Sequence, residues 1–64
     1  MLGRCKFFKT TEHWGIVWNE AGGWFFHGSN VIGEAPQAGE EVSFFLDDGT
    51  RGDGRLAAVE VQVR

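Results

Sequence analysis

A chain of 64 residues makes one small domain with a small core and little stability to spare. Its single cysteine, Cys5, excludes an internal disulfide, and with only His13 and His27 beside it there are too few ligands for a Cys/His structural zinc site. A net charge of −3 and a pI of about 5.1 argue against a duplex-DNA binder that works by phosphate neutralisation. No apolar run approaches the roughly 20 residues of a membrane helix, and residues 1–9 lack the apolar centre of a signal peptide. The expectation is a complete cytoplasmic protein without cofactor or metal.

The elements follow in chain order as short runs cut by ten glycines, with Pro36 the only proline. Gly3 to Lys9 predicts a first strand, and the polar stretch Thr10 to His13 a turn. Trp14 to Asn19 predicts a second strand that aligns Trp14, Ile16 and Trp18 on one face. Gly22-Gly23 signals a hairpin. Trp24 to Gly28 predicts a third strand, with Phe25 and His27 on one face and Trp24 and Phe26 on the other. Ser29 to Glu40 is a longer connection with room for a helical turn near Asn30 to Ile32. Glu41 to Asp47 predicts a fourth strand that aligns Val42, Phe44 and Leu46. Asp48 to Gly54 is a glycine-rich loop. Arg55 to Val63 predicts a fifth strand with Ala57, Val59, Val61 and Val63 aligned. The pattern implies an all-β, five-stranded antiparallel OB-like barrel over residues 1–64; alternation alone does not separate it from an SH3-like barrel.

Six Phe and three Trp exceed what so small a core hides easily, so some rings should face solvent and mark a contact surface. Several segments carry a more specific signal. Gly3-Arg4-Cys5-Lys6-Phe7-Phe8-Lys9 is similar to the cold-shock opening of glycine, basic, apolar, Lys, Trp-Phe-Asn. Glu12-His13-Trp14-Gly15-Ile16-Val17 stands where that family has Lys-Gly-Phe-Gly-Phe-Ile, and Trp24-Phe25-Phe26-His27-Gly28-Ser29 where it has Val-Phe-Val-His-Phe-Ser. Gly39-Glu40-Glu41-Val42-Ser43-Phe44 resembles Gly-Gln-x-Val-x-Phe, and Gly49-Thr50-Arg51-Gly52 with Ala57-Ala58-Val59 resembles the family's ending. Over nearly its whole length the chain thus resembles the cold-shock domain family. It departs at Glu12, which replaces a lysine, at His13, which replaces a glycine, and at Ile16 and Gly28, which replace phenylalanines. Lys9 in place of asparagine restores one positive charge.

The resemblance implies binding of short single-stranded RNA or DNA with weak sequence selectivity, and a role as RNA chaperone or stress-related regulator. It assigns Phe7, Trp14, Phe25 and His27 to base stacking; Lys6, Lys9, Arg4 and Arg51 are the candidate phosphate contacts, of which the resemblance favours Lys6 and Arg51. The chemistry suits the residue types, because an aromatic ring on a flat sheet offers a base an apolar face to stack on. The alternative for Phe25 is a core ring. His27 has no second histidine at a useful sequence spacing and no nucleophile beside it, so stacking outweighs metal binding or catalysis, and no enzyme is expected. Trp18 lies outside the family pattern; it either extends the platform or caps the barrel. Trp24, where the family has valine, is expected in the core. Arg51-Gly52-Asp53 reads as a turn, Asp47-Asp48-Gly49 lacks the alternating ligands of a calcium loop, and Gly49, Gly52 and Gly54 form no phosphate cradle. The losses at Ile16 and Gly28 and the reversed charge at Glu12 motivate a second expectation: a barrel that docks a protein partner or a second copy of itself.

Overall fold

The computed structural model describes residues 1–47 and 56–64. Five strands close into a barrel in the order β1-β2-β3-β5-β4: β1 is Leu2–Lys9, β2 Trp14–Asn19, β3 Gly22–His27, β4 Glu41–Asp47 and β5 Ala57–Val63. This is the connectivity of an OB-like barrel. Four of the pairings are antiparallel; β3 and β5 run parallel where Phe25 meets Ala57, a detail that strand alternation cannot reveal. The short helical turn lies earlier than expected, at Gly28–Asn30, because His27 caps it: its Nδ1 accepts the Ser29 N–H at 3.1 Å. Among the described residues no helix is long and apolar enough to cross a membrane.

Two irregularities of register decide what faces inward. Cys5 pairs with Val17, but Phe7 pairs with Ile16, so Lys6 is an extra residue and β1 bulges there. The bulge turns Cys5 and Phe8 both inward, three residues apart, and leaves Phe7 outside. A second bulge interrupts β5 between the pairs Phe45–Val59 and Ser43–Gln62, and Glu60 sits in it with φ 51°. The expected alignment of Ala57, Val59, Val61 and Val63 therefore holds for Val61 and Val63 but fails at Val59, while Ala57 is buried at the start of the strand. Ala58, Val61 and Val63 meet the core, whereas Val59 lies on the far side of the bulge beside exposed Phe45.

The core is Cys5, Val17, Phe26, Val42, Phe44, Ala58 and Val61, with Phe8, Trp24, Val31, Leu46 and Val63 packed against it. Its interior rows across β1, β2 and β3 read Phe8–Gly15–Phe26 and Cys5–Val17–Trp24. Phe8 and Phe26 lean over Gly15 and stack at 5.5 Å with only 13° between their planes. Glycine is required at that point: a Cβ on Gly15 would overlap the Phe26 ring and the Phe7 carbonyl. Trp24 fills the role expected of it, 5.7 Å from Phe44.

The long connection is laced to β1 rather than left open. Cys5 N–H donates to the Glu40 carbonyl at 2.9 Å and Gly39 N–H to the Cys5 carbonyl at 2.8 Å, while Ile32 N–H reaches Val61 at 2.8 Å. Burial, with the Glu40 carboxylate a lesser cause, raises the Cys5 thiol above its ordinary 9.0, which keeps it neutral inside the core.

Gly15→Ala should cost about 1–3 kcal/mol by overpacking against Phe26. Gly23→Ala should be near neutral, since a Cβ there meets only ordinary contacts of 3.7–3.8 Å. Urea unfolding of the two variants checks the contrast, and equal stabilities would contradict the packing described.

Candidate nucleic-acid interface

With β1, β2 and β3 side by side, their outward residues form three lateral rows. Lys9, Trp14 and His27 make the first, Phe7, Ile16 and Phe25 the second, and Arg4, Trp18 and Gly23 the third. Exposed Lys6 stands at the bulge between the second and third rows. Phe7 meets Trp14 edge to face at 5.4 Å and 77°, and Trp14 stacks with Phe25 at 5.6 Å and 25°. These are diagonal contacts between neighbouring rows, and they join three strands in one line of rings. All three rings are partly exposed, and His27 beside them is exposed.

Phe7, Trp14, Phe25, His27, Lys6 and Lys9 thus share one outward face, as expected of them. Arg51 lies outside the described residues, as does the loop that holds it. Phe25 is no core ring: alternation gives the interior to Trp24 and Phe26.

The charged groups are local and few. Lys9 Nζ lies 5.3 Å from the centre of the Trp14 ring, a cation–π arrangement, and 3.7 Å from the Glu12 carboxylate. The reversed charge at position 12 therefore partly neutralises the lysine gained at position 9. Arg4 is tied by its Nη1 to the Gly39 carbonyl at 2.9 Å. His27 accepts through Nδ1 from the Ser29 N–H, and the Ser29 hydroxyl stands 2.9 Å from the same nitrogen. The neutral ring consequently carries its proton on Nε2, which makes that nitrogen a donor.

One ring was missed from the sequence. His13 has φ 65°, the left-handed region, at the position where the resembled family has glycine. Its N–H bonds the Lys9 carbonyl at 2.6 Å and its carbonyl accepts the Gly28 N–H at 2.7 Å. This holds its imidazole over Gly28, 5.3 Å from His27 and 6.0 Å from Phe8. A Cβ on Gly28 would overlap the His13 ring. The two histidines are thus neighbours despite their separation in sequence, which corrects the view that His27 has no histidine companion. No group of three potential metal ligands forms around them among the described residues. The paired departures, His for Gly at 13 and Gly for Phe at 28, were the available signal.

The sequence matches no known family model and no curated protein.

Gly28→Ala should push the exposed His13 ring aside at a cost below about 1 kcal/mol in the wild-type chain, and that cost should vanish in a His13→Gly background. A double-mutant cycle by chemical denaturation measures the coupling; additive effects would show that the ring does not occupy that space.

Proposed function

We propose that this barrel is a non-catalytic, cold-shock-like module that binds short single-stranded RNA or DNA by stacking bases on its outward aromatic face. The observation that supports this most is the continuous line Phe7–Trp14–Phe25 on three adjacent strands, bordered by Lys6, Lys9 and His27. Base–aromatic stacking contributes about 1–3 kcal/mol per base and tolerates any sequence, because every base has a π-face. The Nε2–H of His27 adds a donor for a base edge. Lys6 and Lys9, with Arg51 by resemblance, contact phosphates.

Binding of this kind needs no nucleotide hydrolysis. A protein that holds unpaired bases shifts folded strands toward open ones by mass action, which is how it would act as an RNA chaperone or stress-related regulator.

Oligothymidylate should quench the tryptophan fluorescence at low salt. Trp14→Ala should weaken binding about 5- to 100-fold while far-UV circular dichroism shows the fold retained. With only two or three phosphates engaged, the slope of log K against log salt should be shallow, about −1.4 to −2.1. Absence of quenching together with concentration-dependent self-association would replace this reading with that of a self-docking barrel.

A further inference from the structure

The third outward row repeats the make-up of the first. In the first, a β1 cation, Lys9, flanks a β2 tryptophan, Trp14, with flat His27 beyond it on β3. In the third, Arg4 flanks Trp18, and the β3 position beyond is Gly23, which has no side chain. The Trp18 indole is 49% exposed. A groove of about 460 Å³ opens beside it, lined by Lys6, Ile16, Trp18, Asn19, Gly22 and Gly23. Asn19 is already committed to the hairpin: its amide donates to the Leu2 carbonyl at 3.0 Å and its Oδ1 accepts from Ala21 N–H at 2.8 Å. The polar group left on that wall is the ammonium of Lys6.

Trp18 also borders a second groove on its other flank, and the two differ in charge. That groove holds Arg4 together with the carboxylates of Glu20 and Glu41. Among the described residues the Lys6 groove contains no carboxylate. An anionic strand is therefore favoured on the Lys6 side of the indole and opposed on the other. Ile16 belongs to both the second row and the groove, so the apolar surface continues from Phe7 and Phe25 to Trp18 without a polar break.

We propose that Trp18 and Gly23 form an additional nucleotide subsite, in which a base stacks on the exposed indole above the bare Gly23 backbone and its phosphate meets Lys6. The subsite rests on the single-strand binding proposed above and extends it beyond the positions that the cold-shock resemblance assigns. Along β2, Trp18 lies about 13 Å from Trp14, so only a strand long enough to pass Ile16 reaches both.

A length ladder of oligothymidylates separates this subsite from the rest of the face. Wild-type affinity should rise at the length that first reaches Trp18. In Trp18→Ala, and independently in Gly23→Val, that rise should be lost, weakening the longer oligomers on the order of tenfold. The shortest oligomers that bind should bind both variants as they bind wild type. Gly23 has the space for a side chain, so Gly23→Val fills the groove without disturbing the core. A rise in affinity that persists in both variants overturns the subsite and leaves the Trp14 face standing. Failure of every oligomer to bind the wild-type chain overturns the face and the subsite together.

Discussion

The extra residue at Lys6 decides which side of the sheet each phenylalanine of β1 serves. Regular alternation from buried Cys5 would send Phe7 into the barrel and Phe8 into solvent. With the bulge, Phe8 enters and stacks on Phe26 across Gly15, and Phe7 stays out against Trp14. The same bend lets one strand pair with β2 along its length and with β4 at its start, as closure of a five-stranded barrel requires. Core and outward face are thus set by one backbone feature, and neither could be rearranged without the other.

The acidic composition and the aromatic face are compatible once distances are considered. At physiological ionic strength exposed charges are screened beyond about 8 Å, so on the proposed reading the net charge of −3 would slow encounter with a strand more than it would weaken its binding. What counts is the charge within reach of the rings. There Lys6 is open and Lys9 is shared with Trp14 and Glu12. With only these cations on the face among the described residues, the proposed binding would draw little from phosphates and most from ring area, which salt does not screen.

Most of the barrel is legible because hydrophobic alternation reports burial: the pattern puts Phe26 with Trp24 and Val42 with Phe44, each pair on one face, and both faces are inward in the structure. The pattern failed at the two bulges, since alternation carries no signal for an inserted residue. On β1 the resemblance placed Phe7 outward where counting by twos would not have. On β5 no such guide existed, and Val59 was aligned with Val61 because nothing in the sequence marks Glu60 as left-handed. The parallel pairing of β3 with β5 and the approach of His13 to Gly28 are contacts between distant segments, invisible to any local reading. The outward rows are more legible on β2 and β3, where strand parity alone puts Trp14, Phe25 and His27 on one face even with the barrel's closure unknown.

The departures from the cold-shock pattern also look different in three dimensions. Counted along the sequence, Ile16 and Gly28 are two rings lost, which suggests a face losing its capacity to stack. In space, the His13 imidazole occupies the room above Gly28, and the Trp18 indole stands one register step beyond Ile16 on the same strand face. The left-handed backbone at His13, a conformation glycine adopts most easily, aims the ring at the space over Gly28, where no side chain competes for it. Each change makes sense in the presence of its partner. The outward surface thus carries the rings of His13 and Trp18 at places where the resembled pattern has none. Under the proposed reading, these two rings bear on where bases would sit along the face and on how many it would hold.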